Sequence, residues 1–338
     1  MAGSGRGILV RRFASAAVGL ACAVSTVAVP AQAQVVGIDD RTAAGECCLV
    51  LLLPVGARSV ALGRALTAAT SPDAMFSNPA GLAGVEGSHL LIHHTDMAAQ
   101  GNAFSFLANP GGVATLGLSY ELVDIDEMEH TDESGQTIGV VTLRHHVLVA
   151  SAASVLARGV SAGLNYKLYQ FRIGCRGTCD GEQVTATTHA VDFGVLFHPS
   201  WLPALRLGAA VMNVGFPLQV INAHQADPLP VRARVGGAYE VLHHLTSVEG
   251  IELWWAVDIV DDWQDPGAPT VSSGIELAIG RTIFLRSGYV PGEGVGTGAA
   301  IGLGIDYDRF TMSIARSFAS SPLEAVEEPM QFSFGFRF

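Results

Sequence analysis

Paired histidines, paired cysteines and charges at alternating positions are the residues of this sequence best suited to chemistry. His93-His94, His145-His146 and His243-His244 supply imidazole nitrogens at strand starts or in a turn. Adjacent residues on a strand point to opposite faces, so neither member of a pair helps the other hold a metal. Ser, His and Asp occur, and Gly159-Val160-Ser161-Ala162-Gly163 has Gly-x-Ser-x-Gly spacing, but it lies in an alternating strand stretch and not at the strand-to-helix turn of a hydrolase elbow. No catalytic residues, metal or cofactor are expected, and the chain is read as a non-enzyme. Asp124, Asp126, Glu127, Glu129, Asp132 and Glu133 read as a solvated loop, since the run lacks the glycine and bidentate glutamate of a calcium loop. Cys175 and Cys179, in RIGCRGTCDG, are expected to form a small loop disulfide, because the loop lacks the two further ligands of a metal site. Cys47 and Cys48 read as unpaired thiols in an apolar stretch.

The remaining charges gain meaning from the elements that carry them. Hydrophobic residues make up 49% of the 338 residues and charged ones 15%, with 39 glycines, too apolar for an ordinary solvated surface. Beyond the N-terminus no apolar run reaches the roughly 18 residues of a spanning helix. Only helices and closed barrels satisfy the backbone in hydrocarbon, which leaves a transmembrane barrel or a large soluble core. From Ser88 onward the chain breaks into about fourteen strand candidates of barrel-spanning length: 88–95, 102–108, 112–122, 145–155, 159–171, 186–197, 205–215, 231–241, 250–260, 271–279, 282–290, 297–305, 309–317 and 330–338. Leu164, Tyr166 and Leu168 alternate with Gly163, Asn165 and Lys167; Ile301, Leu303 and Ile305 alternate with Gly302, Gly304 and Asp306. One face suits lipid and the other a filled lumen. Connections after even-numbered strands are short, and most of the others are long and polar, as the two rims of an outer-membrane barrel require.

That alternation turns Lys167, Asp192, Arg232, Arg234, Glu240, Asp258, Glu276, Arg286 and Asp306 inward. Ionisable groups at membrane depth are paired or solvated. A salt-bridged network bracing the barrel is the principal reading. The other is a seat for a ligand's polar head, with Arg286 beside Tyr289 as first choice.

The first 33 residues carry Arg6, Arg11 and Arg12, an apolar stretch from Phe13 to Val29 and the small-x-small site Ala31-Gln32-Ala33, the pattern of a cleaved signal peptide. Cys22 after Gly19-Leu20-Ala21 is a poor lipoprotein signal beside it. Removing the segment leaves 16 of 19 basic residues against 31 acidic ones, a net charge of −15, which argues against nucleic-acid partners. Residues 34–87 precede the strands as an N-terminal segment and hatch, and 88–338 form the barrel. The final strand, MQFSFGFRF, places Phe332, Phe334, Phe336 and Phe338 on one face.

The block Gly56-Ala57-Arg58, Leu62-Gly63, Ala65, Asp73-Ala74 and Asn78-Pro79-Ala80-Gly81-Leu82 resembles the N-terminal signature of the PorV/PorQ family, relatives of the FadL-type outer-membrane transporters. Later stretches extend the likeness: Gly159 to Lys167, Ala190 to Gly194, Asn213-Val214-Gly215, Pro228 to Arg232, and Leu285 to Tyr289. Arg64 stands where the family has a second glycine. The resemblance implies a fourteen-stranded barrel whose lumen holds the Asn78–Leu82 block as a hatch entered from the periplasmic side, where the C-terminus also lies. It also implies that Phe334, Phe336 and Phe338 signal insertion to the barrel-assembly machinery, and that outer-membrane lipid surrounds the protein. FadL-like members pass small hydrophobic compounds through the barrel. PorV-like members work with type IX secretion proteins as surface scaffolds.

Overall fold

The structure is a computed structural model describing residues 45–96, 99–178, 183–220, 226–243, 250–292, 298–318 and 330–338. The expected signal peptide, residues 1–33, lies outside these residues. Gly45–Phe338 forms one compact unit.

Alternating apolar and small or polar residues produce fourteen antiparallel strands: β1 (His89–Asp96), β2 (Ala99–Ala108), β3 (Ala114–Thr131), β4 (Thr137–Ala157), β5 (Val160–Gly177), β6 (Val184–Phe197) and β7 (Leu205–Gly215). The second half comprises β8 (Arg232–Glu240), β9 (Ile251–Asp262), β10 (Thr270–Ile279), β11 (Ile283–Val290), β12 (Gly298–Tyr307), β13 (Phe310–Phe318) and β14 (Met330–Arg337). Each strand pairs with its neighbours in sequence, and β1 pairs with β14 to close the barrel. Closure leaves no unpaired sheet edge. The outward positions are apolar: Leu118, Leu164, Phe193, Val235, Ile301, Leu303 and Phe334 are all exposed. Phe332 and Phe338 share that outer face, as the final-strand alternation predicts.

Three strands depart from expectation. The acidic run after Leu122 is not a loop, because β3 continues to Thr131 and pairs with a β4 that begins at Thr137. Asp124 faces Arg144 across the ladder, with Arg144 Nε 2.8 Å from its carboxylate. This opposite-charge pair supports a ladder that polarity alone does not announce. Strand β5 likewise runs to Gly177, so Cys175 belongs to a strand. Cys175 is disulfide-bonded, and Cys179 lies outside the described residues. The other strands begin and end close to where alternation places them.

The segment before β1 contains one helical turn, α1 (Ala57–Ala61), and short 3-10 turns at Leu49–Leu52, Pro72–Phe76 and Pro79–Gly84. It runs through the lumen from one rim to the other. At the long-loop rim, Cys47 N donates to Pro228 O at 3.0 Å and Glu46 pairs with Arg232 at 2.8 Å. At the opposite rim, Ser88 N donates to Phe338 O at 3.2 Å. The described segment therefore starts at the rim opposite the C-terminus. This reverses the expectation that it is entered from the C-terminal side, and the Glu46–Arg232 pair is what holds its start there. Cys47 and Cys48 are joined as a vicinal disulfide, which corrects their reading as free thiols. Cys48 takes a left-handed backbone, φ 61°, that a regular helix or strand through this stretch would not supply.

Candidate functional site: the plugged lumen

Small residues let the lumenal segment lie against the wall. A Cβ on inward-facing Gly163, Gly194, Gly208, Gly274 or Gly288 would run into Pro79 and Ala80, Asn78, Thr67, Leu62 and Gly63 respectively. Side chains at these wall positions would fill the space the segment occupies. Gly63 itself has φ 59° and packs on the Tyr289 backbone. Arg64, next to it, also adopts φ 63°, a conformation glycine takes without strain.

Polar contacts fasten the segment at defined points. Asp258 on β9 accepts Leu66 N at 3.1 Å, Thr67 N at 3.0 Å and Thr67 Oγ1 at 2.6 Å. Its carboxylate also pairs with Arg234 at 3.0 Å, and Arg234 donates to Arg64 O at 2.9 Å. Arg58 of α1 makes two 3.0 Å hydrogen bonds to Glu276, which Arg286 approaches at 2.6 Å. Such forked guanidinium contacts combine charge with directional hydrogen bonding. Asn78 caps the following 3-10 turn by accepting Ala80 N at 3.1 Å, while its Nδ2 donates to Thr67 O at 2.7 Å and Val195 O at 3.0 Å. Ser333 on β14 accepts Ala57 N at 2.8 Å and contacts His93 Nδ1 at 2.8 Å, with Asp73 3.7 Å from the far ring nitrogen.

A second network sits on β5–β7. Lys167 lies 2.9 Å from Asp192 and donates to Asn213 Oδ1 at 2.7 Å. Asn165 Nδ2 bridges Asp192 and the carbonyl of Met75, at 2.7 and 2.8 Å. Asp192 also accepts Asn213 N at 2.8 Å, where the β6–β7 register shifts and Asn213 takes φ 62°. Arg232 joins Glu46 and, at 3.0 Å, Asp262.

Of the charges assigned inward by alternation, Lys167, Asp192, Arg232, Arg234, Asp258, Glu276 and Arg286 thus fall into ion pairs. Glu240 meets His243 near the short-turn rim, 3.3 Å apart. Asp306 makes no ion pair among the described residues. Arg286 and Tyr289 do not form a joint seat. Arg286 is buried against Glu276 while Tyr289 is 56% exposed on the outer face, because three positions apart on a strand means opposite sides. Glu46, Thr67, Asn165, Asn213 and Ser333 escaped sequence reasoning, since short polar residues on an inward face carry no signal of their partners. The residues expected to form a hatch, Gly56, Ala57, Arg58, Gly63, Asp73, Asn78, Pro79, Ala80, Gly81 and Leu82, all lie within the lumenal segment, and Ala57, Asn78, Ala80 and Leu82 are wholly buried.

The segment's arginine–carboxylate pairs are made with β8–β11, and the Lys167–Asp192–Asn165 network stands on β5–β7. Beside that network Leu91, Leu107, Val147, Val149, Tyr169 and Ala190 of β1–β6 form an apolar stretch of wall. Met75 and Leu82 pack on that wall from the segment; Leu218 and Leu229 of the β7–β8 loop join it. Beside the Arg58–Glu276 pair, a pocket of about 50 Å³ opens between Leu62, Leu66, Arg206, Trp254 and Glu276, with the Arg206 guanidinium 4.0 Å above the Trp254 ring.

No sequence-family profile matches this chain, and no curated protein matches it by sequence. Solved structures do match in shape. The toluene transporter TbuX of Ralstonia pickettii aligns with a TM-score of 0.57 at 15% identity, over 84% of this chain and 98% of that one. The monoaromatic hydrocarbon channel CymD gives 0.58 at 14%, over 85% and 98%. A FadL homologue of Pseudomonas aeruginosa gives 0.52 at 11%, over 85% and 99%. The fold is FadL-like. At these identities the likeness is one of fold.

Proposed function

We propose that the protein is an outer-membrane channel for passive uptake of small hydrophobic compounds, with the lumenal segment as its hatch. The observation that carries this reading is the apolar wall of β1–β6. It extends from Leu218 and Leu229 at the long-loop rim past Tyr169 and Val149 to Leu91, beside the Lys167–Asp192 pair, and faces a plug whose own arginine–carboxylate pairs are made with β8–β11. A solute moving along that wall displaces the packing of Met75 and Leu82 and the Asn165–Met75 hydrogen bond, whereas the Arg58–Glu276 and Glu46–Arg232 pairs stay in place. Hatch movement is part of the mechanism. An apolar cavity of about 150 Å³ holds a benzene ring, about three times the volume of the pocket beside Trp254. The FadL-like fold supports the same reading, as does an outer surface clad in Leu, Ile, Val and Phe. In this reading the C-terminal rim faces the periplasm, lipid covers the apolar belt, and assembly machinery recognises Phe334, Phe336 and Phe338.

Proteoliposomes holding the purified barrel should take up labelled fatty acids or alkyl aromatics faster than liposomes holding the heat-denatured protein. Equal rates would reject the channel. A PorV-like role as a type IX secretion scaffold is the second reading. It is favoured by the β3–β4 ladder, whose 18- and 21-residue strands exceed the 9–11 or so needed to span a bilayer and so offer a platform beyond the rim. Capture of exported secretion substrates by a barrel inactive in uptake would support it.

A further inference from the structure

We propose that the outer face of β3–β5 holds the phosphate of an anionic membrane-lipid headgroup between Arg144 and Arg172, an inference that rests on the membrane reading above. The two residues are direct cross-strand partners, and Asp124 is the partner of Arg144 on its other side. All three share the outward parity of the exposed Tyr120, Leu148, Leu164 and Tyr166. The charges do not cancel. Asp124 binds Arg144 at 2.8 Å, but Arg172 makes no ion pair among the described residues. Further toward the rim, Arg176 and Glu127 offset each other at 3.5 Å. Like charges directly opposed on neighbouring strands are destabilising, and this pair stands on a chain whose net charge is −12. A local anion between the two guanidinium groups removes that repulsion, and their forked donors match phosphate geometry.

The level on the barrel identifies the source of the phosphate. Within the next three outward rows below the arginines stand two outward couples, Tyr120 OH with His146 Nδ1 at 2.7 Å and Tyr166 OH with His189. Aromatic residues with polar tips mark the interface between acyl chains and headgroups. Level with His146, in the row next to the arginines, Gln170 Nε2 contacts Thr187 Oγ1 at 3.4 Å. Arg144 and Arg172 therefore stand where a headgroup phosphate would be, with the lipid's chains along Leu148, Leu164 and Leu168.

The test uses the full purified protein, delipidated in neutral detergent and titrated with phosphatidylglycerol or phosphatidylcholine while bound lipid is counted by native mass spectrometry. Wild type should retain phosphatidylglycerol with a preference of roughly tenfold. Arg144→Gln/Arg172→Gln should abolish the preference while keeping the heat-modifiable gel mobility of a folded barrel. Asp124→Asn, which frees Arg144, should increase it. Equal binding of the two lipids by wild type, an undiminished preference in the double variant, or its loss to millimolar inorganic phosphate in every case overturns the proposal. The readout is independent of transport, so a barrel that prefers phosphatidylglycerol yet moves no solute overturns the channel alone.

Discussion

Asp258 holds Thr67 by both its backbone and its side chain: Thr67 N lies 3.0 Å and Thr67 Oγ1 2.6 Å from the same carboxylate oxygen. One buried acid on β9 thereby fixes the middle of the lumenal segment to the wall. Replacing it with alanine leaves Arg234 without its carboxylate and Thr67 N without its acceptor, while Leu66 N keeps Arg64 O at 2.9 Å. Loss of one partner of a buried pair costs about 3–5 kcal/mol. Asp258→Ala should accelerate amide exchange across 57–70 while the strands stay protected. Unchanged exchange at Leu66 and Thr67 would show that this anchor is dispensable.

Glu276 neutralises two arginines, and the consequences of that sharing are asymmetric. Glu276→Gln leaves Arg58 and Arg286 facing each other with no anion between them. Arg58→Met removes only the lumenal segment's share and keeps the 2.6 Å Arg286–Glu276 contact. The first substitution should lower the thermal midpoint more than the second, whereas both should loosen α1. Thermal unfolding followed by gel mobility gives the order, and a reversed order would contradict the shared-carboxylate arrangement.

Adjacent or nearby glycines should differ sharply in tolerance. A methyl group at Gly208 would meet the Thr67 carbonyl, whereas at Gly237 it meets Leu207 Cδ2 at 3.6 Å and Arg206 O at 3.8 Å, both ordinary contact distances. Gly208→Ala should destabilise the plugged barrel by roughly 1–3 kcal/mol, in the range of other overpacked sites. Gly237→Ala should be close to neutral. Denaturant midpoints of the two variants in the same detergent provide the comparison.

The tip of the β3–β4 hairpin carries its own pH dependence. Asp132 accepts Ser134 Oγ at 2.6 Å, Ser134 N at 2.8 Å and Gln136 N at 2.9 Å. These hydrogen bonds, the Ser134 hydroxyl foremost, lower its pKa below the usual carboxylate value. A depressed folded pKa means that the turn's added stability is present above the unfolded value of about 4 and is lost as pH falls through the folded one. Amide exchange at Ser134 and Gln136 should therefore rise on acidification beyond the intrinsic trend. Asp132→Asn should remove that excess; a pH response identical in the variant would assign it elsewhere.

The barrel was legible because its signal is local. Residues such as Leu164 and Tyr166 against Asn165 and Lys167, or Ile301 and Leu303 against Gly302, reveal a two-faced strand without knowledge of any partner. A small-residue block before the strands likewise announces a compact insert. The hairpin beyond Leu122 was hidden because its outward residues are charged at the point where the apolar face ends, and only the Asp124–Arg144 register distinguishes ladder from loop.

By itself, the sequence determined the strand count, the outward apolar face, the small-residue character of the lumenal segment and the inward placement of its charges, since each follows from the period-two geometry of a strand. Tertiary structure decided which charges meet. Arg58 and Glu276, or Thr67 and Asp258, lie about two hundred positions apart, and no local period encodes a pairing across a closed lumen. It also decided that the segment starts at the long-loop rim, that Cys47 bonds to Cys48, and that Arg286 faces Glu276 and turns away from Tyr289. These outcomes depend on the path of the chain through the barrel, which becomes defined only when β1 pairs with β14.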